Sequence, residues 1–258
     1  VLIVAGSDSG GGAGIQADLK TVAAMGGYGM TAITALTAQN TLGVSAIHPV
    51  HAEFVAAQMR AVLDDIGVDA IKIGMLGNGA IAACVADILD EPSLRGIPVI
   101  LDTVMAASSG HYLLDEDGAD VMKRRLIPRA DLVTPNLIEC ARLTGIEPCD
   151  LDGMRRAAAA FLGMGARTVL VKGGHLDGNG LIDLLTGAYG ERVFHHDRIT
   201  SSHTHGTGCT LASAIATGLA LGAPLTDAVE AAIAYVQIAI RAAPGLGRGN
   251  GPLGRVHS

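Results

Sequence analysis

Short apolar runs rich in β-branched residues alternate with longer segments of helical spacing along this 258-residue chain. The runs at 1–5, 70–73, 98–102, 132–134 and 168–172 are continuous and four or five residues long at most, the signature of strands buried on both faces. Between them, 15–25, 52–65, 80–89, 118–126 and 154–164 repeat apolar residues at three- and four-residue spacing, which predicts helices laid over a sheet. A further strand is expected at 28–36. The pair 181–185 and 192–195 is expected as a hairpin turning through Thr186-Gly187-Ala188-Tyr189-Gly190. Two last helices, 210–221 and 226–242, flank the breaker Gly222-Ala223-Pro224, and the second carries Ala228, Ala232, Val236 and Ile240 on one stripe. Repeated βα units of this kind predict a mainly parallel sheet covered by helices, and no linker or repeat divides the chain, so one domain over 1–258 is expected.

Composition sharpens the picture by exclusion. The chain is 49% apolar, with 35 glycines, 3% aromatics and a formal charge of −7. That supports a large core of small side chains with tight strand-to-helix turns. It argues against a nucleic-acid partner, which would need clustered Lys and Arg and aromatic platforms. The four cysteines lack CxxC spacing, nothing at 1–5 resembles a secretory segment, and no apolar run reaches the roughly 18 residues of a membrane span, so a cytoplasmic protein is expected. The late histidines His195, His196, His203 and His205 lack zinc-site spacing.

The most informative segment is Thr204-His205-Gly206-Thr207-Gly208-Cys209-Thr210, a glycine turn opening onto a helix. Successive backbone N–H groups at a positive helix end form an anion site, with phosphate as the natural guest. The same helix end is expected to favour the Cys209 thiolate and lower its pKa. The glycine run from Ala5 to Gly14 also joins a strand to a helix, but without Lys-Ser/Thr after its last glycine it is no Walker A loop. Lys172 ends a strand in Val171-Lys172-Gly173-Gly174-His175, placed either for solvent or to offer one compact charge to a polyphosphate. Asp102 ends another strand. Asn136 and Glu139 have two readings: a near capping box at a helix start, or with Asp102 a set of oxygens for hydrated Mg²⁺.

A strand-end carboxylate, an Asn-x-x-Glu, a strand-end lysine and a glycine-rich helix entrance in successive units resemble the ribokinase-like kinases. Within them, Gly6-Ser7-Asp8-Ser9 through Gly14-Ile15-Gln16-Ala17-Asp18-Leu19-Lys20, then Ala38-Gln39-Asn40-Thr41, Lys72-Ile73-Gly74-Met75-Leu76 and His205 to Thr210 are similar to the hydroxymethylpyrimidine/phosphomethylpyrimidine kinases of thiamine biosynthesis. The resemblance implies a three-layer α/β/α sandwich with a mainly parallel central sheet. It implies ATP and Mg²⁺ as cofactors, and successive phosphorylation of 4-amino-5-hydroxymethyl-2-methylpyrimidine and its monophosphate by a homodimer. It further implies that Cys209 takes the hydroxymethyl proton, and that Gly206, Thr207 and Gly208 stabilise the transferring phosphoryl group. Lys172, Asn136 and Thr204 would sit on the nucleotide side, Glu139 and Asp102 on the metal side. Gln39 would read the pyrimidine edge, with Gly6, Ala13 and Met75 lining its pocket. Gly10 stands where relatives carry serine. A pyridoxine or pyridoxal kinase is the rival of the same class, and a non-catalytic pyrimidine-binding module the rival of another.

Overall fold

The computed structural model describes residues 1–107, 110–174 and 180–254. His175, at the end of the Lys172 segment, lies outside them.

The first strand, β1 (Leu2–Asp8), alternates strictly, with Leu2 and Val4 facing one core and Ile3 and Ala5 the other. The same two-residue period splits β5 (Val99–Leu101) and β7 (Thr168–Lys172), so the sheet is apolar on both faces and requires helices on each. One face is covered by α1 (Gly14–Ala24), α8 (Thr207–Ala220) and α9 (Leu225–Arg241). The other is covered by α2 (Ala52–Asp65), α3 (Gly79–Leu89), α4 (Glu116–Val121), α5 (Ile127–Arg129), α6 (Leu137–Thr144) and α7 (Leu151–Gly163). This is the expected three-layer α/β/α arrangement.

Adding β2 (Met30–Asn40), β3 (Gly43–Pro49), β4 (Ile71–Ile73), β6 (Leu132–Val133), β8 (Gly180–Gly187) and β9 (Gly190–Asp197), the strand order among the described residues is β3-β2-β1-β4-β5-β6-β7-β8-β9. Strands β2, β1, β4, β5, β6 and β7 run parallel, and β3, β8 and β9 attach antiparallel at the two ends. The chain leaves β1 toward β2 on one side and returns to β4 on the other. That reversal opens a crevice at the carboxyl ends of the strands, where ligands bind in open α/β sheets.

Several elements depart from the sequence expectation; the helices expected from 154 and 210 each begin three residues earlier, at Leu151 and Thr207. Strand β2 runs on to Asn40 and continues into β3, which the pattern had not revealed because its residues are half or fully exposed and do not alternate. The helix expected at 118–126 starts earlier, at Glu116, where Asp115 accepts the Gly118 amide. It passes through a π-helical stretch, Met122–Leu126, before α5. Helix α6, of which only the start was expected, is a short helix with Gly145 left-handed at φ 74° as its stop.

Candidate active site

Phosphate-type chemistry converges where α8 begins. Gly206 precedes the helix at φ 85°, a conformation L side chains avoid, and a Cβ there would run into the Gly12 carbonyl oxygen. No side chain caps this helix, so its first amides, those of Gly208 and Cys209 among them, face outward for an anion. The Thr207 hydroxyl points back and donates to the Thr204 carbonyl at 2.6 Å, while the Thr204 amide donates to Asn250 Oδ1 at 3.0 Å. Both threonines therefore brace the turn, and Thr207 offers its hydroxyl to the turn rather than to a ligand.

Gly208 lets Lys172 approach: a Cβ on it would lie 3.3 Å from Lys172 Nζ and 3.5 Å from Asp102 Oδ2. Lys172 Nζ donates to Asp102 Oδ1 at 2.9 Å. Burial disfavours the lysine's charge, but Asp102 and Glu139 outweigh it and hold the ammonium protonated. The cation is thus fixed beside the helix end by a carboxylate, which settles it as an inward-facing strand-end lysine.

Asn136 and Glu139 form a complete capping box: the Glu139 amide donates to Asn136 Oδ1 at 2.9 Å and the Asn136 amide to Glu139 Oε2 at 2.8 Å. Thr103 Oγ1 adds a bond to the same Glu139 oxygen at 2.9 Å. With the residue only 7% exposed, burial and then the nearby Asp102 push its carboxyl up to about 7, against the pull of Lys172. Two carboxylates held close enough to repel are a donor set that would fit a hydrated divalent cation, since Mg²⁺ uses one or two carboxylates and keeps waters. Among the described residues no group of three or more His, Cys, Asp or Glu forms an all-protein cage.

Cys209 differs from expectation. Its thiol is pushed up to about 11, first by burial and then by Asp18 and Asp102, while Lys72 and the Gly14 backbone act the other way. The helix end is outweighed chiefly because the sulfur is buried, and its neighbours include a buried ion pair that the sequence did not disclose. Lys72 sits mid-strand between Ile71 and Ile73, so its side chain enters the α1/α8 face with no exposure. There it donates to both Asp18 oxygens of α1 at 3.0 and 2.8 Å, and Ser213 of α8 donates to Asp18 at 2.7 Å.

A second cluster faces the ends of β1 and β2. The Asp8 carboxylate accepts the amides of Gly10 (2.8 Å), Gly12 (3.0 Å) and Ala13 (2.8 Å), which shapes the glycine run. His205 reaches it at 3.0 Å and also meets the Gln39 amide at 3.1 Å. The Met75 sulfur fills the space that a Cβ on Gly6 would need, and Thr34 Oγ1 donates to the Met75 carbonyl at 2.6 Å. Gly10 lies against Asp8 and the Gln39 carbonyl, where a Cβ would come within 3.2 Å of each. Asp8 and His205 had no assigned role in the sequence, although a carboxylate just ahead of a glycine run is a recognisable acceptor for its amides. A groove of about 920 Å³ between the glycine run 10–12, α1, α9 and residues 244–254 includes neither Lys172, Asp102, Cys209 nor Gln39.

Residues 8–254 match the phosphomethylpyrimidine kinase family. The chain belongs to that family. Among the relatives of this phosphomethylpyrimidine kinase family member, the thiamine biosynthesis bifunctional protein ThiED of Geobacter sulfurreducens is 52% identical over 99% of the chain, which spans about half (52%) of that protein's length. The hydroxymethylpyrimidine/phosphomethylpyrimidine kinase of Streptomyces coelicolor is 49% identical, with 98% of the chain and 93% of the relative covered. In structure, the pyridoxal kinase of Bacillus subtilis, solved as an ADP complex, superposes with a TM-score of 0.90 at 35% identity, covering 98% of this chain and 96% of that one.

Proposed function

We propose that this chain, a hydroxymethylpyrimidine/phosphomethylpyrimidine kinase, moves the γ-phosphoryl group of ATP first to the hydroxymethyl oxygen of 4-amino-5-hydroxymethyl-2-methylpyrimidine. A second transfer then goes to the phosphate of the resulting monophosphate. The observation that carries this reading is the meeting of the uncapped α8 end with Lys172 and Asp102 beside Gly208. Phosphoryl transfer asks the protein chiefly for positioning and for charge on the equatorial oxygens, and this arrangement supplies both.

In the proposed division of labour, the amides of Gly206, Gly208 and Cys209 and the Lys172 ammonium hold the phosphoryl oxygens, the Thr207 amide being given to the Thr204 carbonyl at 3.2 Å, with Thr204 and Asn136 shaping the nucleotide side. Glu139 and Asp102 would hold Mg²⁺ through its waters, and the ion would neutralise phosphate charge. Cys209, in the minor thiolate form that a thiol pushed up to about 11 retains, accepts the hydroxyl proton as the oxygen–phosphorus bond forms and ADP leaves. Gln39 reads the ring within a pocket lined by Gly6, Ala13 and Met75. One kinase domain over the whole chain, a homodimer and a cytoplasmic setting complete the proposal. The four free cysteines support a reducing environment, and among the described residues no helix is long and apolar enough to cross a membrane.

The test is incubation with Mg-ATP and, separately, the pyrimidine alcohol, its monophosphate or pyridoxal, with products resolved by mass. Monophosphate from the alcohol and diphosphate from the monophosphate are expected. Turnover of pyridoxal alone would replace this reading with the vitamin B6 activity, and no ATP turnover with any of the three would favour a binding module. Light scattering at twice the chain mass is the check on dimerisation.

A further inference from the structure

We infer that His205 and Thr37 clamp the side-chain amide of Gln39 in one of its two orientations, and that this clamp makes the site accept an aminopyrimidine and refuse its oxo counterpart. The inference rests on Gln39 reading the ring edge, as proposed above.

His205 Nε2 lies 3.0 Å from Asp8 Oδ2 and 3.1 Å from the Gln39 amide nitrogen. Burial disfavours charge on Asp8, but bonds from His205, Ala13 and Gly10 outweigh it and hold the carboxyl below its ordinary range, so the group is a carboxylate. A ring lone pair aimed at a carboxylate oxygen would be repelled. Nε2 therefore carries a proton and donates to Asp8. The same N–H faces Gln39, and the end of the amide turned toward it has to be an acceptor.

The opposite flank imposes the same choice. Thr37 Oγ1 lies 2.9 Å from the Ser7 carbonyl oxygen and 3.1 Å from the other end of the Gln39 amide. Its single proton goes to the Ser7 carbonyl, which can only accept, so toward Gln39 the hydroxyl oxygen accepts. Both neighbours select the amide with its oxygen toward His205 and its nitrogen toward Thr37. That is 180° from the arrangement that sets two N–H donors face to face at His205.

An amide gripped on both flanks keeps its outer edge for a ligand, one oxygen lone pair beside one N–H. A 4-aminopyrimidine presents the complement, an amino donor beside a ring-nitrogen acceptor. The 4-oxo analogue presents the reverse, a carbonyl acceptor beside a ring N–H, and fits only the amide turned over. The hydroxymethyl group has to face the α8 turn, so the ring is not free to flip in compensation. His205 and Thr37 are thus positioning residues that act through Gln39, and His205 joins ring recognition to the phosphate turn because Gly206 follows it directly.

The experiment compares kcat/KM for 4-amino-5-hydroxymethyl-2-methylpyrimidine and its 4-oxo analogue on the parent, Thr37→Val, Thr37→Ser, His205→Phe and Gln39→Met. Both substrates share the folded fraction and the transfer step, so their ratio on one variant cancels losses in either. The parent is expected to favour the amino compound by about 10²-fold or more, the scale set by leaving buried polar groups unpaired. Thr37→Val and His205→Phe are expected to lower the ratio at least tenfold, and Thr37→Ser, which keeps the hydroxyl, to restore it. A parental ratio in Thr37→Val and His205→Phe, with the ratio lost in Gln39→Met, overturns the clamp and leaves Gln39 as the reader. A parental ratio in Gln39→Met overturns the role of Gln39 itself.

Discussion

Cys209 lies between opposed influences: burial and the carboxylates of Asp18 and Asp102 favour the thiol, and Lys72 favours the thiolate. A thiol pushed up to about 11 leaves only a small thiolate fraction at neutral pH, and that fraction grows tenfold per pH unit until the pKa is reached. With Cys209 as proton acceptor, the single-turnover rate at saturating substrates climbs with unit slope between about pH 6 and 9, and Cys209→Ala loses the slope together with about 10²–10⁴ in rate. A flat parental profile would leave the thiol only an orienting part. Glu139 gives a stability prediction of definite sign. Its folded carboxyl titrates at about 7 against an ordinary 4.5, so between those values the folded state binds more protons than the unfolded state, and stability declines as pH rises through that window. Glu139→Gln keeps the size and an acceptor for the cap, so it should melt above the parent at pH 8 and with it near pH 4.5, while needing more Mg²⁺ for activity. A variant that melts lower at pH 8 would mean that the charge itself sustains the cap. The glycine turn, Lys172 and the Asn136–Glu139 pair were legible as residues because their spacing implies local geometry. The Cys209 environment was not, since it depends on how deeply the packed helices bury the sulfur and on the charges of Lys72, Asp18 and Asp102 around it.

At the scale of elements, the Lys72–Asp18–Ser213 contact ties β4 to α1 and α8 through one buried ion pair. Removing one partner leaves the other charged and dry, so Lys72→Met should cost about 3–5 kcal/mol in urea unfolding, whereas pairing it with Asp18→Leu should recover most of that loss. Equal destabilisation by the single and double variants would show that packing, not the unpaired charge, sets the cost. Hydrophobic pattern revealed the elements with two distinct environments: β7 and α2 begin and end at the expected residues, 168–172 and 52–65. It failed for β3, whose exposed residues carry no alternation, and for the π-helical stretch in 122–126, where helical spacing persists although the hydrogen-bond register shifts. Lys72 escaped notice for a related reason. A lysine inside a strand expected to be buried on both faces does not declare its partner in sequence, because the counter-charge, Asp18, comes from another helix.

For the whole molecule, the crevice is built from residues far apart in sequence, and a nucleotide that bridges them stabilises the folded state by mass action. ADP at about a hundred times its Kd should add roughly 2.7 kcal/mol to unfolding, and Lys172→Met should abolish most of the corresponding rise in melting temperature. The strand order has another consequence, in the order of synthesis. Strands β4 to β9 are added outward from β1 in the sequence in which they leave the ribosome, so the sheet can grow as the chain emerges. Helices α8 and α9 come after all of them, yet they cover the face that holds Ile3, Ile100, Leu132 and Leu170. A nascent chain halted before residue 207 therefore presents a finished sheet with one apolar face largely open, a natural client for a chaperone. When α8 then docks, the same event covers much of that face and delivers Cys209 to its place, so the newborn protein completes its core and its site together.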